Sequence, residues 1–354
     1  MASFADATCV RPINSDSYSA NFHPDWCIGS VPHGGYVTSC FLTVAQLHFS
    51  TTLESHNQPH TISLQLSFLR RTSIGPAIFV VSESKLGRRT STIHISLSQR
   101  NQPPCVVGYL TQSNLHTETG VSLPTNYTLT PPPPPLSSTD ALERDDDPNW
   151  TYFEKPFTNF RKAGRHISSY LPRKRQTVVE GEGGGGEEEE QAIIDQWLHL
   201  TNSQKFTQES LGCVADSFPQ ITETVYTPSD LDSASASTKS KSQSQSHSQL
   251  QPPFKTPPSS PQDKSHWAKH WYPTVTLNMD FKKALPDEGV EWLFSRVRSK
   301  AIRNGRMDLE VEIWDEGGQV VALCTHVALI VGAERNMERS GREGQSRERK
   351  ASRL

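Results

Sequence analysis

The chain has 354 residues and a formal net charge of −3, and 34% of its residues are hydrophobic. That length allows two domains of ordinary size, while the mean hydropathy of −0.57 is low for a compact chain and predicts segments outside any core. The small net charge gives no general reason to expect nucleic acid as a partner, and the lack of a long apolar run predicts no transmembrane segment.

After an irregular lead-in, the first block of the chain is predicted to combine one helix with antiparallel strands. The turn at His33, Gly34 and Gly35 opens a helix whose apolar residues recur at helical spacing from Val37 onwards. Alternating apolar and polar residues then predict a strand that ends at Phe68, followed by strands over 77–86, 91–98 and 106–110. We assign residues 20–115 to this unit.

The segments between and after the structured blocks are rich in proline, serine and charged residues. Residues 116–149 are predicted to form a Pro/Ser-rich linker. Two inserts, at about 177–191 and 229–265, lack an apolar pattern and are predicted to be disordered, and residues 333–354 form a charged tail.

The second block, over residues 150–332, repeats the order of the first. A strand over Ile193–Leu200 precedes a helix that is predicted to be capped by Thr207, and further antiparallel strands follow. Both blocks carry an aromatic residue followed closely by a basic pair, at Phe68 and at Phe281. The repeat predicts an α+β chain with two long helices, each wrapped by an antiparallel sheet.

The segments that carry a resemblance to a known family lie in both blocks. They are HGGY at 33–36 and FLRR at 68–71 in the first block, and 272–283, 289–300 and 304–326 in the second. In their order and spacing the chain resembles the TesB-like acyl-CoA thioesterases, in particular the thioesterase-like family common in fungi. The resemblance implies a double hotdog fold and the hydrolysis of an acyl-CoA thioester by water.

The glycine turn before the first helix is a candidate oxyanion site. Backbone N–H groups of Gly34 and Gly35 at a helix N-terminus would face the thioester carbonyl, and glycine lets that carbonyl approach closely. His33 beside them would contact the substrate or act as a base. The alternative is a plain turn that uses glycine for its backbone conformation.

The resemblance also implies a water site built from an Asp, a Thr or Ser, and a Gln of the second block. The Asp position falls nearest Thr276, where a carboxylate is missing, and Asn278 and Asp280 share its predicted strand face. The Thr or Ser position falls near Ser299, and the Gln position falls at His326, whose imidazole titrates near neutral pH. The alternative is that these are ordinary strand residues on a hydrogen-bonded face.

Two basic pairs occupy matching places in the two blocks. They are Arg70 and Arg71 in the first block and Lys282 and Lys283 in the second. Because Arg and Lys suit phosphate recognition, they are candidate ligands for the phosphates of CoA. The alternative is that they are strand-end charges in solvent.

The expected function is hydrolysis of fatty or other acyl-CoA thioesters, with acyl-CoA as the substrate. The six cysteines form no CxxC pair, so no metal site is expected. Hydrolysis of a thioester by water needs no redox cofactor, and none is expected. Two alternatives stay open. One is a non-catalytic acyl-thioester binding protein, which the missing carboxylate favours, and the other is a hotdog enoyl-thioester hydratase or an acyl-transfer enzyme of a secondary pathway.

The last three residues predict a location for the protein. Ser352, Arg353 and Leu354 form a close variant of the SKL address, which predicts the peroxisomal import receptor as a partner. The expected location is therefore the peroxisome, and otherwise the cytoplasm. A homo-oligomer is compatible with the fold but not required, because one double hotdog is already equivalent to a hotdog dimer.

Overall fold

A computed structural model describes residues 2–174, 177–179, 188–190, 192–226 and 269–337. The helices are α1 Phe4–Ala7, α2 Gly34–Thr51, α3 Thr139–Glu143, α4 Leu211–Ala215, α5 Ile221–Thr224 and α6 Glu334–Met337. The strands are β1 Val10–Pro12, β2 Ser17–Phe22, β3 Cys27–Ile28, β4 Val31–Pro32, β5 His60–Phe68, β6 Gly75–Lys85, β7 Ser91–Ser98, β8 Val106–Ser113, β9 Trp150–Tyr152, β10 Ile167–Pro172, β11 Thr177–Val179, β12 Glu188–Glu190, β13 Ile193–Leu200, β14 His270–Trp271, β15 Thr274–Phe281, β16 Trp292–Arg298, β17 Ile302–Arg303, β18 Arg306–Trp314, β19 Val320–Leu329 and β20 Val331–Gly332.

Most of these strands join one antiparallel sheet. Its strand order is β1-β2-β6-β7-β8-β5-β15-β19-β18-β16-β13-β10-β9, with β17 beside β18. The remaining strands form the separate pairs β3–β4, β11–β12 and β14–β20.

The helix α2 lies at the centre of the first half, as the sequence predicted. Its buried side chains include Tyr36, Phe41 and Phe49, and they share one core with inward-facing residues such as Leu64 of β5 and Phe79 of β6. A helix that is apolar on nearly all sides is typical of a buried central position. The predicted strands that follow α2 are confirmed, with β7 at the predicted bounds.

The second half keeps the order of strand, helix and antiparallel strands, but its helix is much shorter than predicted. In place of one long helix capped by Thr207, the chain forms α4 with 5 residues and α5 with 4 residues. Asp216 ends α4, and Pro219 lacks the N–H group that a continuing helix would donate. The prediction of two long helices is therefore wrong for the second half.

The two halves share one sheet and one core. β5 pairs with β15 in antiparallel register, with Leu66 opposite Leu277. α2 lies so close to α4 that a Cβ atom added to Gly212 would be 2.8 Å from the backbone nitrogen of Ser39. This close approach holds the N-terminus of α2 near the residues that follow α4.

Several segments that were predicted to lie outside the folded blocks contribute regular structure, among them β11 and β12 in the insert at 177–191 and α6 in the charged tail. The lead-in before residue 25 forms α1, β1 and β2, and β2 extends the sheet beside β6. The predicted linker contributes α3, whose Leu142 is buried in a cluster with Trp150 and Trp292. The lead-in and the segment at 116–149 therefore cover core surface that would be exposed if they were unstructured.

Most of the residues that were predicted to be disordered lie outside the described residues. The insert at 229–265, most of the insert at 177–191 and residues 338–354 of the tail lie outside the described residues. Across the described ranges, no helix is both long enough and apolar enough to cross a bilayer.

Candidate active site

A cavity of about 340 Å³ lies where the two halves meet. Its wall is largely apolar and combines the turn before α2 and the end of β5 with the segment before β10, the residues after α4 and the start of β15. The polar and charged residues of the wall include His33, Arg70, Arg71, Lys155, Arg161, Asp216, Gln220, His270, Tyr272 and Thr274. A mainly apolar cavity with a few convergent polar groups is typical of a small-molecule site.

Asp216 lies among polar groups drawn from both halves. Its Oδ2 accepts a hydrogen bond of 2.8 Å from the backbone N–H of Gly35, at the N-terminus of α2. Nε2 of His33 is 3.6 Å from the same oxygen, and Nδ1 of His326 is 3.7 Å from Oδ1. Both distances are too long for good direct hydrogen bonds, but a water molecule could bridge such groups. The dipole of α2 favours negative charge at this position.

Thr274 reaches the same carboxylate because β15 is irregular at its start. A β-bulge between Thr274 and Thr276 interrupts the alternation of side chains, so the two threonines do not share a face. The hydroxyl of Thr274 lies 3.4 Å from Oδ1 of Asp216, within reach of a long hydrogen bond. The bulge therefore adds the hydroxyl of Thr274 to the cluster. In a regular strand this hydroxyl would point to the outer face with Thr276.

His326 brings a buried imidazole to the cluster from β19. Burial lowers the pKa of His326, against the opposing effect of Asp216, so the ring is neutral at pH 7. Neither ring nitrogen has a hydrogen-bond partner within the described ranges. His326 is not part of the cavity wall. Since a neutral imidazole has one donor and one acceptor, it can bind a water molecule next to the carboxylate.

The two glycines of the turn have different environments. Gly34 lines the cavity, whereas the N–H of Gly35 donates to Asp216. A Cβ atom on Gly35 would also lie 2.7 Å from the carbonyl oxygen of Gly212, so the helix pair requires glycine there. The prediction that both N–H groups face the substrate is corrected for Gly35, which instead holds the carboxylate.

The structure does not bring Thr276, Asn278 or Ser299 to this cluster. His326 lies opposite Leu277 on the inner face, so Thr276 and Asn278, on either side of Leu277, point to the outer face. Asn278 is exposed and hydrogen-bonds to Thr325. The hydroxyl of Ser299 donates to Asp308 over 3.3 Å. The resemblance had placed Thr276 and Ser299 at the water site, and regular alternation along β15 had added Asn278, which shares the face of Thr276.

The two basic pairs are not equivalent. Arg70 and Arg71 line the cavity, and Arg71 also donates to the backbone oxygen of Asn336 over 2.6 Å. Lys282 is exposed and lies outside the cavity wall, and Nζ of Lys283 forms a 2.6 Å ion pair with Asp315. Only the arginine pair is therefore placed to meet a ligand of this cavity.

The sequence-based prediction missed Asp216 and stated that the carboxylate was absent. The carboxylate comes from the end of α4 and not from a strand, so a search along β15 could not find it. Asp216 is the one charged residue in the stretch LGCVADSFPQI at 211–221. A single carboxylate in an otherwise apolar segment was the available signal, because a buried charge needs a partner or a function.

Comparison with known proteins identifies relatives over most of the chain. The model of the acyl-CoA thioesterase N-terminal domain matches residues 22–113, and that of the acyl-CoA thioesterase C-terminal domain matches residues 139–330. The thioesterase-like protein TwmA of Talaromyces wortmannii is 35% identical over 352 residues, which cover 95% of this chain and 94% of that protein.

Solved structures share the architecture at low sequence identity. A protein of unknown function with a hot dog fold from Alicyclobacillus acidocaldarius has a TM-score of 0.62 and 13% identity, with 93% of this chain and 97% of that chain covered. The acyl-CoA thioesterase II TesB2 from Mycobacterium marinum has a TM-score of 0.54 and 14% identity, with 93% of this chain and 98% of that chain covered. The predicted double hotdog fold is thereby confirmed.

Proposed function

The chain belongs to the acyl-CoA thioesterase family, and we propose on that basis that it hydrolyses acyl-CoA thioesters to the free acid and CoA by means of a water molecule. The observation that carries the proposal is the convergence of Asp216, His326 and Thr274 beside the glycine turn of α2. The alternative of a non-catalytic binding protein depended on a missing carboxylate, and Asp216 supplies one.

Each residue of the cluster has a distinct proposed role. A water molecule between Asp216 and His326 is the nucleophile, and the hydroxyl of Thr274 helps to orient it. Asp216 takes the proton of this water as a general base. The N-terminus of α2, with Gly34 on the cavity wall, stabilises the negative charge that develops on the thioester oxygen.

The reaction then follows in two steps that balance. The water oxygen bonds to the carbonyl carbon of the thioester, its proton passes to Asp216, and the carbonyl oxygen becomes an oxyanion. When the carbonyl re-forms, the carbon–sulfur bond breaks and CoA leaves as a thiolate. The proton held by Asp216 passes to that thiolate, which restores the site for another water molecule.

The direct test is the release of free thiol from a panel of acyl-CoA substrates by the purified full-length protein. We expect His326→Ala to lower kcat/KM by about 100-fold, because the substitution removes a polar group beside the reacting water. Thr276→Ala is the matched control, since Thr276 points to the outer face of β15, and its kcat/KM should stay within about twofold of wild type. Equal losses in both variants would contradict the assignment.

The same panel distinguishes the alternative functions. Tight binding of acyl-CoA without thiol release by the wild-type protein would identify a binding protein and refute hydrolysis. Loss of the enoyl absorbance of an enoyl-CoA, again without thiol release, would identify a hydratase.

We propose Arg70 and Arg71 as the contacts for the phosphates of CoA, because they line the cavity. Arg70→Ala is expected to raise KM for an acyl-CoA by about three- to tenfold, since Arg70 is exposed and its phosphate contact is screened by solvent. KM for the corresponding N-acetylcysteamine thioester, which has no phosphates, should not change. Lys282→Ala is the control, and an equal rise in KM for that variant would contradict the placement.

The cellular setting is a proposal that depends on the sequence alone. Ser352, Arg353 and Leu354 lie outside the described residues, and we propose that they direct the protein to the peroxisome through its import receptor. An acyl-CoA hydrolase would meet its substrates there.

A further inference from the structure

Lys155 is a cationic group of the cavity wall that the proposed hydrolysis does not use. It lies between β9 and β10, is half-buried, and lines the cavity together with Phe153 and Gly164. Its Nζ donates a hydrogen bond to the backbone oxygen of Ile167. Among the described residues, the amine thus has neutral neighbours, the backbone oxygen of Ile167 and the thiol of Cys213, in a largely apolar environment.

The other cation on this side of the cavity already has its counter-ion. Both terminal nitrogens of Arg161 donate to the carboxylate of Glu223 over 2.8 Å, and the hydroxyl of Tyr272 donates to Oε1 of Glu223 over 3.2 Å. In the described part of the chain, no carboxylate lies within ion-pair distance of Nζ of Lys155. A bound anion would therefore be its counter-ion.

Burial makes Lys155 responsive to such an anion. Desolvation lowers the pKa of Lys155 to about 7, since the apolar wall disfavours the charged amine. An anion next to Nζ favours the ammonium form and raises that pKa, so binding an anionic group and charging the lysine reinforce each other. A neutral group in the same place would gain no comparable attraction.

We propose that this cavity takes acyl-CoA thioesters whose acyl group carries a terminal carboxylate, and that Nζ of Lys155 pairs with that carboxylate. The inference rests on the proposed thioesterase function, because it names the class of acyl group that this site hydrolyses. The phosphates of CoA carry several charges and stay close to water, which suits the exposed Arg70. A single desolvated cation within the apolar wall suits one carboxylate on the acyl chain.

The test compares glutaryl-CoA with pentanoyl-CoA, which have the same number of acyl carbons and differ in the terminal carboxylate. Lys155→Met is expected to lower kcat/KM for glutaryl-CoA by about 10- to 100-fold, because it removes a charge-assisted hydrogen bond. The value for pentanoyl-CoA should stay within about twofold, which also shows that the variant folds. Lys155→Arg keeps the charge and should retain part of the preference. Lys162→Met, outside the cavity wall, should change neither value.

N-acetylcysteamine thioesters of the same two acids identify which anion Lys155 binds. The preference of the wild type for the glutaryl thioester should persist with these substrates, since they lack every phosphate of CoA. If Lys155→Met weakens both CoA thioesters equally and neither N-acetylcysteamine thioester, Lys155 binds a CoA phosphate and the proposal is overturned.

Failure of this inference and failure of the thioesterase function give different results. Thiol release that is equally efficient for both acyl-CoAs and indifferent to Lys155→Met leaves hydrolysis intact and refutes the carboxylate subsite. If no thiol is released, equilibrium binding shows whether Lys155 binds the terminal carboxylate. The measurement compares glutaryl-CoA with pentanoyl-CoA, for the wild type and for Lys155→Met. Tighter, Lys155-dependent binding of glutaryl-CoA then supports the subsite without catalysis, and equal binding refutes it.

Discussion

Asp216→Asn is expected to reduce kcat for acyl-CoA hydrolysis by about two to four orders of magnitude, as measured by thiol release under saturating substrate. The carboxylate of Asp216 is the group in the cluster best suited to take a proton from water, and an amide cannot do so. The amide oxygen can still accept the hydrogen bond from the N–H of Gly35, so the helix contact survives. The loss should therefore appear in kcat and not in the fold.

The control for this prediction is Asp280→Asn on the exposed face of β15. Asp280 was a candidate for the missing carboxylate, and its substitution should leave kcat within about twofold. Thermal unfolding of Asp216→Asn should have a midpoint within about 4 °C of wild type. An active Asp216→Asn protein, or an inactive Asp280→Asn protein, would place the base elsewhere.

Gly35→Ala is expected to impair both stability and activity. The added Cβ would lie 2.7 Å from the carbonyl oxygen of Gly212 and 2.9 Å from Cβ of Asp216, and the backbone atoms there cannot rotate away. Alanine gains at most about 1 kcal/mol of helix propensity, whereas overpacking of this kind costs about 1–3 kcal/mol. We expect a net loss of stability of up to about 3 kcal/mol in urea unfolding.

The activity of Gly35→Ala should fall by about 100-fold, because a shift of α2 against α4 moves the carboxylate relative to the N-terminus of α2. Gly317→Ala is the matched control. Its Cβ would lie 3.3 Å from a side-chain oxygen of Asp315 in the turn before β19, and neither stability nor activity should change appreciably. Normal activity in Gly35→Ala would show that the close approach of the two helices is not needed for the site.

Local pattern was sufficient for most of the fold. The 3.6-residue spacing after His33 predicted α2, and period-two alternation predicted β5 to β8 and β13. The same reasoning failed for the second helix, because the apolar spacing through Phe218 continues after the helix itself has ended at Asp216. Side chains that face a shared core keep a pattern even where the backbone is no longer helical.

The candidate site was predicted only where a local motif or the resemblance pointed to it. The glycine turn was proposed from its local sequence, and His326 was proposed through the resemblance, as the position that corresponds to the Gln of the family. Thr274 was not distinguished from Thr276, because the bulge that separates their faces depends on pairing with β19. Lys155, Arg70 and Arg71 line the same cavity although Lys155 is far from the two arginines in the chain.

The sequence by itself determined the repeat, the central helix, the antiparallel strands and, through resemblance, the class of reaction. Hydrophobic periodicity is a local property, so it is readable without knowledge of the partners. Only the tertiary structure decided which carboxylate lies at the candidate site. Asp216 is brought to the N-terminus of α2 by the packing of α4, although it lies 181 positions after Gly35 in the chain. The contact between the two helices and the bulge in β15 place the groups to which we assign catalysis, and neither is encoded in any single segment.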